Sequence, residues 1–339
     1  MIIEGGYRKY SEISFLRGFA ITTVIFMHLI QMFVKWGDIP QWLSYASSLG
    51  GTGGHVFVFC SGFGLYLSYL HRPVRVGEFL KNRFLKIYIP YIIVVLIVYL
   101  LTRYGDKGEL FRRMLSHIFL YKMFFERYVI SFGMQFWFIS TIIQLYLLFP
   151  LLCRLRDRTS LRTLVATGLL ISMAWWILME ATGLGEYRIW GSFCFQYLWE
   201  FTLGMAAAEY LMNRESIRIP IWLLLTAAAV GLGLQAIMAL QGGWAAAFND
   251  IPSLIGYGSA ALLLYTFGKR IIRPLFLKID TISYEWFLVH TIVIARFYRY
   301  FGSQIQSEAL KAALATACSL VVAWIYAKLI RRLMKLLKV

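Results

Sequence analysis

Long apolar stretches recur along the entire chain, and they constrain its fold more than any other feature of the sequence. One of them, FLRGFAITTVIFMHLI at residues 15–30, contains a single formally charged residue. A membrane-spanning helix needs about 20 mostly apolar residues. The chain is 60% hydrophobic and 15% charged, whereas soluble domains are about half apolar and a quarter charged. This excess of apolar residues indicates a polytopic membrane protein.

The apolar stretches predict about ten transmembrane helices in an all-α fold, within a single domain that covers residues 1–339. The predicted spans are residues 13–34, 50–70, 84–102, 134–152, 162–180, 193–212, 219–240, 251–268, 281–301 and 309–330. Basic residues precede the first span, but no small-residue cleavage site follows it, so we expect an uncleaved span rather than a signal peptide. No cysteine pair has the spacing of a metal site, and we expect neither a metal nor a bound cofactor.

The distribution of positive charge predicts the orientation in the membrane. The chain carries a net charge of +17 with 34 lysines and arginines, and about two thirds of these fall on the side that holds both termini. The positive-inside rule therefore predicts that both termini are cytoplasmic. Charge with this distribution also attracts anionic lipid, and it does not indicate binding to nucleic acid.

The longest predicted connection, residues 103–133, departs from this trend because it carries many cations on the outer side. Its apolar residues recur at helical spacing: Leu110, Phe111, Met114, Leu115, Ile118 and Phe119. This pattern predicts a helix that lies in the outer membrane interface. Such a helix would be either a lid over an acceptor site or a plain surface connector.

The first span contains two ionisable residues, Arg17 and His28. Eleven helical steps return to within about 20° of the starting direction, so both side chains share one helix face, about 16 Å apart along the axis. Ionisable residues within a span are costly, which makes them candidates for function. The alternatives are a snorkelling arginine that marks topology and a histidine in an interhelical hydrogen bond.

Further candidates lie in the second, third and fourth predicted spans. Arg83 and Lys86 are neighbours on one helix face at the predicted cytoplasmic surface, where they would hold phosphates, contact lipid headgroups or mark topology. Ser61 follows a glycine-rich stretch that helix packing largely explains. Trp137 falls at the outer interface, where aromatic residues are common.

The sixth and ninth spans contain ionisable residues whose spacing argues against shared sites. His290 follows Glu285 by five residues, so a direct pair on one face is not expected. Glu200 and Glu209 fall on roughly opposite faces of their helix, and we expect that one site does not use both.

Six short motifs occur in order along the chain. They are Arg17 and His28 separated by ten residues, HVFVFCSGF with Ser61, Gly62 and Phe63, RFLKIYIP with Arg83, Lys86, Tyr88 and Pro90, WF to YLLFP with Trp137, Tyr146 and Pro150, FTLGM with Phe201 and Gly204, and SYEWFLVH with Ser283, Tyr284, Phe287, Leu288 and His290. Together they resemble the acyltransferase 3 family of integral membrane acyltransferases, whose usual core has ten spans. The resemblance extends over almost the whole chain.

The sequence departs from the family pattern in three ways. The second basic position is Lys86 rather than arginine, which weakens bidentate phosphate contact. Many members have a glutamate shortly after the fourth-span tryptophan, whereas this chain has Ile142 and Ile143 there. The chain ends soon after the tenth predicted span, so we expect no additional C-terminal hydrolase-like domain.

The resemblance implies transfer of an acyl group, most simply acetyl, from acyl-CoA as co-substrate to a hydroxyl of a carbohydrate or lipid-linked glycan. His28 would act as the base or as a transient acyl carrier, and Arg17, Arg83 and Lys86 would bind the CoA phosphates. Ser61, Trp137 and His290 would line the site. The sequence predicts no particular oligomeric state.

Two other classes of function remain open at the level of sequence. Ionisable residues within spans, glycine-rich span starts and proline kinks are also features of transporters and flippases. Against a carrier, the sequence pattern predicts no pair of short broken spans in corresponding halves. A non-catalytic assembly subunit is the third interpretation, and only the missing carboxylate supports it.

Overall fold

The chain folds into a bundle of α-helices, and a computed structural model describes residues 2–4, 10–36, 40–72, 75–102, 105–214 and 216–337. In these ranges the helices are α1 (Ser11–Trp36), α2 (Gln41–Ser48), α3 (Thr52–His71), α4 (Val76–Leu101), α5 (Lys107–Ile118), α6 (Glu126–Val129), α7 (Trp137–Arg158), α8 (Leu161–Thr182), α9 (Arg188–Gly191), α10 (Leu198–Met212), α11 (Ile221–Gln241), α12 (Gly243–Ala247), α13 (Asp250–Phe267), α14 (Ile272–Asp280), α15 (Ser283–Phe301) and α16 (Glu308–Leu336). Strands β1 (Ile2–Glu4) and β2 (Ser216–Arg218) form a short antiparallel pair. The predicted all-α membrane fold is confirmed.

The predicted number of spans is not confirmed. Within the described ranges, seven helices are long and apolar enough to cross a membrane, namely α1, α3, α4, α7, α8, α11 and α16. Helices α13 and α14 pass the same test only as a pair, which is bent by 119° at its break.

The other two predicted spans coincide with helices that do not meet those limits. Helix α10 has only 15 residues. Helix α15 carries Glu285, Arg296 and Arg299 among its apolar residues, which is more charge than a simple lipid-facing span tolerates. Both helices have faces buried against neighbouring helices, and Glu200 and His290 lie on these faces, whereas Arg299 is exposed.

The predicted outer connection contains helix α5, which begins at an Asp106 cap whose side chain accepts a hydrogen bond from Gly108 N. Phe111 on α5 and Phe119 just after it are exposed, while Met114 packs against the bundle. The location of α5 in a membrane interface stays a prediction. Residues 103 and 104 of this connection lie outside the described residues.

Helix α3 lies at the centre of the bundle because glycines let two neighbouring helices approach it closely. A Cβ atom added to Gly62 would collide with the carbonyl oxygen of Phe201 on α10, and one added to Gly204 would collide with the carbonyl oxygen of Phe59. On the other side, a Cβ at Gly53 would lie 2.7 Å from the carbonyl oxygen of Ala20 on α1. Small residues are what membrane helices use for backbone-to-backbone packing.

We expect Gly204→Val to destabilise the protein by about 1–3 kcal/mol or more, since α10 must move away from α3 to admit the side chain. The thermal unfolding midpoint of purified protein in detergent measures this effect. Gly233→Val is the matched control, because Gly233 is exposed on α11 and a Cβ atom added there would have no neighbour within 4 Å. Equal midpoints for the two variants would contradict this account of the packing.

Candidate active site

A first cavity of about 280 Å³ opens between α1, α3, α4, α7 and α15. Its polar wall includes Arg17, Ser61, Arg83, Tyr146 and Ser283. We call it the cation chamber, because two arginines face it and no carboxylate does among the described residues.

A second cavity of about 460 Å³ lies further along α1. Its wall includes His28, His55, Trp137, Arg188 and Tyr197. We call it the histidine chamber. Its side chains combine titratable nitrogens with aromatic rings and one guanidinium, which is a set suited to an organic ligand with hydroxyl groups.

Three aromatic residues line both chambers: Phe57, Phe138 and Phe287. The rings of Phe57 and Phe138 are 6.2 Å apart, and those of Phe138 and Phe287 are 5.6 Å apart. The two chambers are therefore adjacent across a partition of phenylalanine rings.

His28 forms a hydrogen-bonded pair with His290 on α15. Nδ1 of His28 lies 2.7 Å from Nε2 of His290, and the two rings are nearly parallel. Nδ1 of His290 lies 2.9 Å from the carbonyl oxygen of Phe287 and 3.1 Å from that of Trp286. Both side chains are buried.

These contacts fix the tautomers of the two histidines. Carbonyl oxygens only accept, so Nδ1 of His290 carries a proton and its Nε2 accepts from Nδ1–H of His28. The lone pair of His28 is then on Nε2, which has no hydrogen-bond partner within the described part of the chain. His28 is therefore oriented as a base with a free nitrogen at the wall of the histidine chamber.

Arg17 is held by an ion pair at the wall of the cation chamber. Its Nε lies 3.1 Å from Oδ1 of Asp280, and its Nη2 donates a 3.5 Å hydrogen bond to Oγ of Ser283. Arg83 also lines this chamber but has no carboxylate partner among the residues that the structure describes. Arg83 is thus the guanidinium that remains available for an anionic ligand.

A second polar cluster borders the histidine chamber and joins α3, α10 and α13. Oε1 of Glu200 lies 2.6 Å from Nδ1 of His55, and Oδ1 of Asp250 lies 3.6 Å from Nε2 of the same ring. Gln196 donates a 2.6 Å hydrogen bond to Oδ2 of Asp250. The three ligand-type atoms lie within 4.8 Å of one another, a spacing that suits a metal ion. A carboxylate at each ring nitrogen suits a doubly protonated imidazole equally well.

Arg188 lies across the indole of Trp137, with its guanidinium carbon 4.0 Å from the ring centroid. The backbone N–H groups of Arg188 and Ile189 each donate a 2.9 Å hydrogen bond to the carboxylate of Glu126, which belongs to the outer connection. Trp137 also stacks on Tyr197 at 5.7 Å. One wall of the histidine chamber therefore consists of the stacked planar side chains of Arg188, Trp137 and Tyr197. Hydrogen bonds to Glu126 join this wall to the outer connection.

Buried Lys122 fastens the same connection to the bundle. Its Nζ donates a 2.6 Å hydrogen bond to the carbonyl oxygen of Phe136, directly before Trp137. Burial lowers the pKa of Lys122 to about 7, since desolvation penalises the charged amine. The hydrogen bond fixes the backbone from which Trp137 enters the chamber.

The structure brings most of the sequence-predicted residues together in two sets. Arg17, Ser61 and Arg83 share the cation chamber, and His28 and Trp137 share the histidine chamber. His290 lies behind His28 rather than on the wall of either chamber. Lys86 is exposed and lines neither chamber. Ile142, in the region where the resemblance implies a glutamate, contributes an apolar side chain to the wall of the cation chamber.

Four polar residues have partners in the structure that their positions in the sequence did not predict. His55 and Glu200 are ionisable residues within predicted spans. The free energy needed to bury such residues was the sequence signal that marked them as candidates. Asp250 and Asp280 each lie at a helix end, far along the chain from their partners, and spacing alone does not connect them. Glu209, as expected, serves a different contact from Glu200, because it pairs with Arg156.

Comparison with known proteins agrees with this architecture. Residues 10–328 match the profile of a family described as an acyltransferase domain, the acyltransferase 3 family. No curated protein and no solved structure matches the chain. Because the match covers almost all of the helical bundle and both chambers, the chain belongs to the acyltransferase 3 family of membrane acyltransferases.

Proposed function

We propose that the protein transfers an acyl group from acyl-CoA to a hydroxyl group of a carbohydrate acceptor at the cell membrane. The acyl group would be acetyl, and the acceptor a cell-surface polysaccharide or its lipid-linked precursor. The observation that carries the proposal is the His28–His290 pair, which presents a free imidazole nitrogen beside a chamber that contains arginines. Membership of the family supports the general activity.

His28 would supply the base that a weakly nucleophilic hydroxyl needs. In direct transfer, Nε2 of His28 takes the hydroxyl proton while the acceptor oxygen attacks the thioester carbon. The C–O bond forms, the C–S bond breaks, and the imidazolium returns its proton to the thiolate of CoA. His290 accepts the Nδ1–H of His28 throughout and stabilises the positive charge on the ring.

The second route is a covalent one, in which Nε2 of His28 attacks the thioester carbon and forms an acyl-histidine with release of CoA thiolate. The acceptor hydroxyl then attacks the acyl carbon, the ester C–O bond forms and the C–N bond to His28 breaks. The freed Nε2 takes up the hydroxyl proton and passes it to the thiolate of CoA. Both routes use the same free nitrogen.

The two chambers would divide the substrates between them. Arg83 and Arg17 would hold phosphates of CoA in or near the cation chamber, which in the proposed orientation opens to the cytoplasm of a bacterial inner membrane. The acceptor would enter the histidine chamber, where Trp137 offers a flat face to a sugar ring and His28 meets its hydroxyl. Lys86 is exposed, so it would contact lipid or the outer parts of CoA.

We expect His28→Ala to lower kcat for acyl-CoA turnover with acceptor by about 10²–10⁴-fold, since a general base contributes that much. The measurement is release of free CoA by purified protein, together with mass spectrometry of glycans from cells that carry the variant. His71→Ala is the matched control, because His71 bonds to the carbonyl oxygen of Leu67 on its own helix and lines neither chamber.

An intact His28→Ala protein that acylates its acceptor at the normal rate would refute the role of His28. The same assay separates the enzyme from a carrier: a wild-type protein that moves the acceptor across the membrane and releases no CoA is a transporter. A wild-type protein that does neither fits the assembly subunit.

We expect His290→Ala to lower kcat by about tenfold with little change in KM, since it removes one hydrogen bond that orients the base. His290→Gln retains more activity, because an amide oxygen accepts the same Nδ1–H of His28. Steady-state kinetics of the two variants measure the difference. If alanine and glutamine at residue 290 are both fully active, His290 does not position His28.

A further inference from the structure

A third cavity, of about 220 Å³, lies where α3 and α7 end and α4 begins, on the side of the bundle that holds Arg17. Leu65 and Arg83 line both this cavity and the cation chamber, so the two spaces adjoin. We call it the aromatic cavity, because its wall includes Tyr69, Phe79 and Phe149. It has no part in the chemistry at His28.

The three rings form a wall of flat faces and edges. Phe79 and Phe149 have centroids 5.0 Å apart at an angle of 34°, and Tyr69 meets Phe149 edge-on at 6.3 Å. The hydroxyl of Tyr69 donates a 2.9 Å hydrogen bond to Oδ2 of Asp157, which fixes the orientation of its ring. Rings held in one orientation provide a surface on which a nucleobase stacks, and this stacking needs no hydrogen bonds to the edges of the base.

Two guanidinium groups flank these rings. Arg83 lies at the junction with the cation chamber, and Arg154 lines the aromatic cavity near the exposed end of α7. Neither has an ion pair with a carboxylate among the described residues. Arg156 on the same helix is different, because its guanidinium is bound to both Glu209 and Thr159. Unpaired guanidinium groups beside aromatic rings are suited to a nucleotide, with phosphates on the cations and the base on the rings.

We infer that the aromatic cavity binds the nucleotide end of the acyl donor, with its purine against Phe79 and Phe149, its diphosphate at Arg83 and its ribose phosphate at Arg154. The inference rests on the proposed function, because it assigns the donor a second subsite. From Arg83 the pantetheine arm continues into the cation chamber and carries the thioester towards the phenylalanine partition. The three cavities then form one path from nucleotide to acceptor.

Binding of adenosine 3′,5′-bisphosphate, which contains the nucleotide and no thioester, tests the subsite directly. Purified full-length protein in nanodiscs of neutral phosphatidylcholine is titrated by calorimetry. We expect Arg154→Gln and Phe79→Ala each to weaken binding by about tenfold. The matched controls are Arg158→Gln, an exposed cation on α7 that does not line the cavity, and Phe84→Ala, an exposed ring on α4. Both should bind as the wild type does.

Equal weakening by Arg154→Gln and Arg158→Gln would mean that only general charge attracts the nucleotide, and it would overturn the subsite. Inorganic diphosphate binding as tightly as the nucleotide would instead assign the cations to lipid headgroups or free phosphate, and would also overturn it. Thermal unfolding midpoints show whether Phe79→Ala is folded. Arg154→Gln decides the question if it is not, because Arg154 is exposed.

Kinetics separate this inference from the proposed function. We expect Arg154→Gln to raise KM for acetyl-CoA about tenfold relative to KM for acetylpantetheine, which lacks the nucleotide. If the wild type releases CoA from acetyl-CoA and Arg154→Gln leaves the ratio of the two KM values unchanged, the nucleotide subsite is wrong and the acyltransferase stands. If the wild type consumes neither thioester, the proposed function fails, whatever the titration of the bisphosphate gives.

Discussion

The structure depends above all on one constraint: ionisable side chains inside an apolar bundle need polar or charged partners. An isolated charge within a membrane costs several kcal/mol, so such residues face one another or a water-filled cavity. The protein follows this rule in its pairs Arg17–Asp280 and His28–His290 and in the cluster around His55. Each of these joins helices that are distant in sequence, and each borders one of the two chambers.

The pairs are supported by close helix packing around α3. Glycines at the α3–α10 contact bring the backbones together, so that Glu200 on α10 reaches His55 on α3. On the opposite side α1 packs against α3 and α15, which sets His28 next to His290. The hydrogen bond to His290 and this packing hold the imidazole of His28 in one orientation.

The division into chambers gives the proposed chemistry its geometry. Arg17 and Arg83 are separated from His28 by phenylalanine rings, so in the proposed chemistry an anionic donor and a hydroxyl acceptor would meet at the partition. The wall of the cation chamber includes Ile142, one of the two isoleucines in the region where the resemblance implies a glutamate, and Nδ1–H of His28 donates its hydrogen bond to a second histidine, His290. A neutral histidine orients the base without adding a negative charge within the membrane.

The sequence alone determined the class of fold, most helix positions, the shared face of Arg17 and His28, and the family, because hydropathy and helical period are local properties. The predicted count of about ten spans is not confirmed, since local apolarity does not report the short α10, the bend after α13 or the charges on α15. Only the tertiary structure decided the partners: the hydrogen bond from His28 to His290, the Asp280 partner of Arg17, the cluster at His55 and the exposure of Lys86. The physical reason is that hydrogen bonds and ion pairs act over a few ångströms in space, whereas the residues that form them are hundreds of positions apart in the chain.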